Sequence, residues 1–254
     1  MPWARAALTF VASVLLLASR AEARPLRVMS LNECSDQLVL ALLPPERITS
    51  VTWLSRDPSI SVMARAAART PVNHGSAEEV LRDHPDLVIA SDYATPATRA
   101  LLEKLHYPLL VLGPSDSFED IRRITRQVAA AVGERARGEA LIAHMEATLR
   151  QLSGAAGPPL RIAAWDGAGF SARPGTLYDL VLKAAGARNV ASEPGILNAT
   201  APDVETLLAT APILLVKGTP GVELPGRSTD VSNNPIVRRV WAGRTVIVPQ
   251  AYYI

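Results

Sequence analysis

A single cysteine, Cys34, stands among 254 residues. One thiol closes no disulfide within the chain and supplies no multi-cysteine zinc or iron–sulfur site. Aromatic residues make up only 5% of the chain, so any that gather near loops are informative. An excess of one charge is also missing. The 26 basic and 24 acidic residues give a formal net charge of +2 without a basic run, which argues against nucleic acid as a partner. The chain has no P-loop, no His-Glu-x-x-His and no Gly-x-Ser-x-Gly. His74, His84, His106 and His144 are scattered, with no pair at helical spacing. Gly167-Ala168-Gly169 lacks the third glycine of a dinucleotide fingerprint. Without a nucleophile–base constellation the chain reads as non-enzymatic, with no catalytic residues, no cofactor and no metal site of its own. What it has in quantity is apolar surface. A 48% hydrophobic content is ample for a packed core and excludes a disordered chain.

The first 23 residues read as an export signal. Arg5 supplies the positive start, Ala6–Ala18 is a short apolar stretch, and Ala21-Glu22-Ala23 fits a small-x-small cleavage pattern that leaves Arg24 as the new N-terminus. The alternative is an N-terminal membrane anchor, against which the shortness of the apolar stretch counts. An exported chain of this kind is expected in the periplasm.

From Arg27 onward short apolar runs alternate with amphipathic stretches. Arg27–Leu31, Ile48–Val51, Leu87–Ala90 and Leu109–Leu112 read as strands, and Asp36–Leu43, a helix opening at Ser76 and one near Thr95–Leu105 as helices. Ser76-x-x-Glu79 has the spacing of a capping box. Ser117–Leu152 carries a roughly helical apolar period, so it reads as one long connecting helix or as two helices broken at Gly133. The alternation then resumes with strands at Leu160–Trp165, Ile213–Val216 and Thr245–Val248 and helices at Thr176–Ala185 and Asp203–Thr210. The predicted class is α/β, with parallel sheets in two Rossmann-like lobes. The N-terminal lobe is expected over 24–114, the connecting helix over 115–153 and the C-terminal lobe over 158–254.

An internal repeat supports the two lobes. Glu78-Glu79-Val80-Leu81, three residues, then Pro85-Asp86-Leu87-Val88-Ile89 matches Glu205-Thr206-Leu207-Leu208, three residues, then Pro212-Ile213-Leu214-Leu215-Val216. A weaker echo pairs Leu26-Arg27-Val28 with Leu160-Arg161-Ile162. Helix–Pro–strand junctions are common, but nothing about such a junction requires the matched glutamate.

Ligands of open parallel sheets bind beyond the carboxyl ends of the strands. Asn32, Trp53, Arg56, Asn73 and Tyr93 fall there in the first half, and Trp165, Phe170 and Tyr252 in the second. Aromatics interspersed with polar groups suit a large, flat, partly apolar ligand. Each tryptophan could instead plug the core beneath its loop, and Cys34 is expected simply to be packed.

With these residues in view, the chain resembles the class III periplasmic substrate-binding proteins of ABC importers, the receptors for Fe(III)-siderophores, heme and vitamin B12. Arg27-Val28-Met29-Ser30-Leu31 and Glu78 through Ala90 anchor the resemblance, which runs from Leu26 to the C-terminus. It implies two lobes bridged by a long backbone helix, with the ligand in the cleft between them. It also implies one surface glutamate per lobe, Glu78 and Glu205, docking onto the inner-membrane permease dimer. The chain stops after Tyr252-Tyr253, where family members continue, so the expectation is either a truncated sequence or a second lobe that lacks its closing C-terminal helix. The expected function is therefore a monomeric periplasmic receptor for a small-molecule metal chelate. A ferric siderophore could be held by Arg56 and Tyr93. Cobalamin or heme is the alternative, with Trp53, Trp165 and Tyr252 against a corrinoid. The rivals are an exported hydrolase using Asp166 or Cys34, and a sensor or scaffold without a ligand.

Overall fold

A computed structural model describes residues 27–93, 95–153, 157–166, 169–194, 196, 204–218 and 234–252, with side chains left undescribed at 166, 169, 170 and 250. The export signal expected over 1–23, Gly167-Ala168, Asp203 and Tyr253 lie outside these residues.

The first sheet holds β1 (Val28–Ser30), β2 (Ile48–Thr52), β3 (Val72–Asn73), β4 (Leu87–Ser91) and β5 (Leu109–Leu112), all parallel and in the order β3-β2-β1-β4-β5. β1 sits at its centre, with Val28 between Ile48 and Leu87. A parallel strand there is buried on both faces, and Val28, Met29 and Ser30 are accordingly all buried without alternation. Helices α1 (Glu33–Leu42), α2 (Ala64–Ala67), α3 (Ala77–Asp83) and α4 (Pro96–Lys104) connect the strands. α1 covers one face through Val39 and Leu42, while α3 and α4 cover the other through Val80 and Leu102. The expected capping box is present: Ser76 Oγ accepts the Glu79 N–H at 3.3 Å and the Glu79 carboxylate accepts the Ser76 N–H at 3.2 Å.

The connecting segment is two helices, α5 (Phe118–Ala131) and α6 (Arg135–Ser153), and not one. Gly133 takes a left-handed φ of 73°, and the Glu134 N–H reaches back to the Ala129 carbonyl at 2.7 Å, a glycine-closed helix end. Arg47 fixes the corner by donating to the Val132 carbonyl and the Glu134 carboxylate, each at 2.7 Å. The two helices then run back along each other, since Arg126 bonds Glu139 and Arg122 bonds Glu146. α5 belongs to the first lobe's core through Ile124 and Val128, which leaves α6 to lead into the second lobe.

The second sheet centres on β6 (Leu160–Asp166), which pairs in parallel with β8 (Ala187–Asn189) and β9 (Leu214–Gly218) and antiparallel with the short β7 (Gly169–Phe170). β10 (Thr245–Val248) pairs with β9 at the edge. Among the described residues its helices are α7 (Leu177–Ala184), α8 (Val204–Thr210) and α9 (Pro235–Val240). β8-β6-β9-β10 repeats β2-β1-β4-β5 of the first lobe, so the fold is two parallel-sheet α/β lobes.

The sequence repeat is also a structural one. His84 and Ala211 both take left-handed φ values, 46° and 43°, directly before Pro85 and Pro212. Their N–H groups close α3 on Val80 and α8 on Leu207. Past each proline the chain enters its sheet through the same bond, Asp86 N–H to Arg27 O and Ile213 N–H to Arg161 O, both 2.8 Å.

Candidate functional site

In the first sheet the chain leaves β1 towards β2 and leaves β4 the opposite way towards β5. A crevice opens between the carboxyl ends of two strands whose connections diverge. Asn32 and Cys34, at the start of α1, stand on one side of it, and Ser91, at the end of β4, and Tyr93, just past it, on the other. Asn32 is placed there by its capping role, in which Oδ1 accepts the Ser35 N–H at 3.1 Å. Together these residues border a cavity of about 550 Å³. Gln37 and Leu38 of α1, Ile121, Ile124 and Thr125 of α5 and the Leu112–Ser115 turn complete the first lobe's wall. Leu177, the first residue of α7, closes it from the second lobe, so the cavity lies between the lobes. Among the described residues of this lining, no side chain carries a formal charge at neutral pH.

The expected ligand residues divide. Asn32 and Tyr93 line the cavity, and Tyr93 is 75% exposed. Trp53 and Tyr252 are exposed on short turns outside the lining. Arg56 lies outside it too, with its guanidinium donating to the Thr70 carbonyl at 2.6 Å. Phe170 pairs with Trp165 through the β6–β7 ladder, and its side chain is outside the description.

Two expectations are corrected. Trp165 is fully buried, packed with Val190, Leu207, Leu215, Val237 and Trp241, because it points into the face of the second sheet that α8 and α9 cover. Asn73 is fully buried as well. Its amide donates to Ser30 O and Ser50 Oγ, both at 2.9 Å, and its Oδ1 accepts the Gly75 N–H at 3.0 Å, so it builds the loop rather than facing a ligand.

Cys34 is exposed at the cavity and not packed away. Desolvation of its sulfur, with Glu33 beside it, raises the thiol pKa, so the thiolate that a nucleophile needs is disfavoured. The α5 wall and Leu177 were not readable as site residues, because apolar positions on an amphipathic helix look alike whether they meet a core or a cavity.

Just behind the cavity lies a buried acidic pair. Asp36 is fully buried, and its Oδ2 accepts the Thr52 N–H at 3.0 Å and the Ser55 hydroxyl at 2.6 Å, tying α1 to the turn after β2. Burial still raises its pKa, which these bonds only partly offset. Glu33 is 8% exposed, and burial, then Asp36, then Asp57 lift its pKa from 4.5 to about 7. The second lobe repeats the tie with the opposite electrostatics. Asp179 of α7 accepts from Asn189 at 2.7 Å and from Ser192 at 3.2 Å. Burial pushes its pKa up, but Lys183 at 2.7 Å, with Asn189 and the Gly175 N–H, holds it below the usual carboxylate range.

Glu78 and Glu205 are both exposed in the first turn of their helices, α3 and α8. Glu79, not Glu78, makes the capping box, so capping does not account for Glu78. Among the described residues no group of His, Cys, Asp and Glu could hold a metal ion, and no helix is long and apolar enough to cross a membrane.

The model of a family described as periplasmic binding protein matches residues 28–248. No curated protein matches the chain. Among solved structures, the periplasmic heme-binding protein RhuT from Roseiflexus sp. RS-1 is similar at 23% identity with a TM-score of 0.69, over 90% of each chain. The periplasmic heme-binding protein HutB of Vibrio cholerae is 19% identical with a TM-score of 0.69, over 90% of this chain and 91% of that one. The vitamin B12-binding protein BtuF of Vibrio cholerae is 16% identical with a TM-score of 0.59, over 90% of this chain and 85% of that one.

Proposed function

The chain belongs to the periplasmic binding protein family, and from that premise we propose that it is a receptor for heme, held in the interlobe cavity and handed to an ABC importer. Such proteins are solute carriers and not enzymes, and they deliver their substrate to a permease.

The observation that carries the heme reading is the cavity lining. Its described residues set apolar Leu38, Leu112, Ile121, Ile124 and Leu177 among neutral polar groups, carry no formal charge, and present the exposed Tyr93 phenol as the largest polar-tipped group. A flat, largely apolar metal chelate suits such walls. Structures that bind heme by their own description share the fold. The ferric siderophore expected from the sequence has less support, because Arg56, its intended anion partner, is engaged at Thr70 away from the lining. Cobalamin is the second reading, supported by the fold shared with the B12-binding protein. The export signal over 1–23 accounts for delivery to the periplasm, and Glu78 and Glu205 are the residues that dock on the permease.

Titration of the purified protein with hemin, cyanocobalamin and ferrichrome tests the reading. Hemin is expected to bind with a Soret shift and to quench Trp53, the exposed one among the described tryptophans. Saturable cyanocobalamin binding without hemin binding would move the assignment to the corrinoid. Binding of none of the three would discard the receptor role.

A further inference from the structure

Resting on the reading above, we infer that the contact between α4 and the Gly75 turn transmits ligand occupancy at Tyr93 to the docking turn that carries Glu78.

The contact begins at a strained residue. Thr95 takes a left-handed φ of 47°, which is an outlier for a β-branched side chain. Such a conformation persists only where the surroundings over-determine it. Its Cγ2 lies 3.0 Å from where a Cβ on Gly75 would stand, and Gly75 itself has a φ of 78°, so the backbone conformation favours glycine there and a side chain would be crowded. One turn further along α4, Thr98 donates its hydroxyl to the Gly75 carbonyl at 2.9 Å. The start of α4 is therefore fastened to the Gly75 turn by the Thr98 hydrogen bond, with the Thr95 methyl beside the glycine.

The far side of that turn is the start of α3. Asn73, fixed on the sheet by its own bonds to Ser30 and Ser50, holds the Gly75 N–H from below. The Glu79 carboxylate gathers the N–H groups of His74 at 2.9 Å and Ser76 at 3.2 Å. Glu78 sits on the same turn, next to Glu79. Tyr93 stands two positions before Thr95 and faces the cavity. A ligand that reorients Tyr93 acts on a residue already held off its favoured backbone. With Asn73 anchored from beneath, a displacement of Thr95 and Thr98 has the Gly75 turn as its next neighbour. Closely packed contacts pass such a shift on rather than absorb it. Thr98 is accordingly a positioning residue, acting on Glu78 through Gly75 and Ser76.

Hydrogen exchange of the whole protein tests this. With saturating hemin, the amides of His74, Gly75, Ser76 and Glu79 should exchange at least threefold more slowly than without it. Thr98→Val removes the hydroxyl at nearly constant volume. It should keep hemin affinity within twofold and lose the exchange response, and Thr98→Ser should restore the response. Hemin binding with unchanged exchange in the natural chain, or an intact response in Thr98→Val, overturns the coupling and leaves the receptor role standing. If hemin, cyanocobalamin and ferrichrome all fail to bind, the receptor role falls and the coupling falls with it.

Discussion

Single side chains set the pH response of this protein. Glu33 has an ordinary pKa of 4.5 when unfolded and about 7 when folded. The folded state binds its proton more tightly, so its contribution is full below pH 4.5 and is lost as pH rises through 7. The difference corresponds to about 3 kcal/mol. Glu33→Gln should therefore stabilise the protein by up to that amount at pH 8 and leave it nearly unchanged at pH 4, read from urea unfolding at the two pH values. Asp179 works in the opposite sense. Its pKa is held low by Lys183, so its stabilisation is present at neutral pH and fades as pH falls through the folded value. Two aromatic residues separate in the same way by location. Trp165→Ala should cost about 3–5 kcal/mol of stability, as truncation of a buried aromatic does. Tyr93→Ala should leave the melting temperature unmoved and weaken hemin binding by about 1–3 kcal/mol, the size expected for loss of a ring contact and its polar tip. A loss of binding in Trp165→Ala with full stability would return that residue to the cleft.

Among the elements, the α5–α6 hairpin shows how local chemistry and packing divide the work. The glycine-closed end at Gly133 is a local feature, but Arg47, far away in sequence, holds the corner in place. The two helices pack closely at Gly138, where an added Cβ would lie 2.5 Å from the Ala129 Cβ. Alanine gains about 1 kcal/mol of helix propensity over glycine in an exposed helix. Here both Cβ atoms are fixed directly to helix backbones and have no torsion by which to swing aside. Gly138→Ala should thus destabilise the protein by about 1–3 kcal/mol, the usual cost of overpacking, measured as a lowered unfolding midpoint. A stabilised variant would show that the helices separate freely.

On the scale of the whole molecule, the two lobes share strand order, the helix–Pro–strand junction and a buried aspartate that ties the first helix to a following turn. Glu78 and Glu205, the carboxylates proposed to dock, occur once in each copy of that plan. Glu78→Ala with Glu205→Ala should leave hemin affinity within twofold while reducing uptake in vesicles reconstituted with the cognate permease. Surface charge pairs are screened by salt, so the natural protein's docking should weaken between low and physiological ionic strength and the double variant's should not. Normal uptake by the double variant, or lost hemin binding, would assign the glutamates elsewhere.

The α/β class, the two lobes and the capped start of α3 were all legible in the sequence. Each rests on short-range rules: apolar period, the position of proline, and Ser76 three residues before Glu79. The sequence also placed Asn32 and Tyr93 at strand ends, and both line the cavity. The small elements α2, β3, β8 and α9 were not separated from loops, since a few residues carry too little periodicity, although Asn234-Pro235 bears a helix-start signature. Tertiary structure alone decided which face each strand-end aromatic takes. Trp53 and Trp165 both follow apolar runs, yet one is 51% exposed and the other buried, because α8 and α9 pack over Trp165 while Trp53 sits on a surface turn. It also decided that Asp36 and Asp179, indistinguishable as first-turn acids, titrate in opposite directions. Burial is set by the chain that folds over a residue, and Lys183 reaches Asp179 while no cation takes that place among the hydrogen bonds to Asp36.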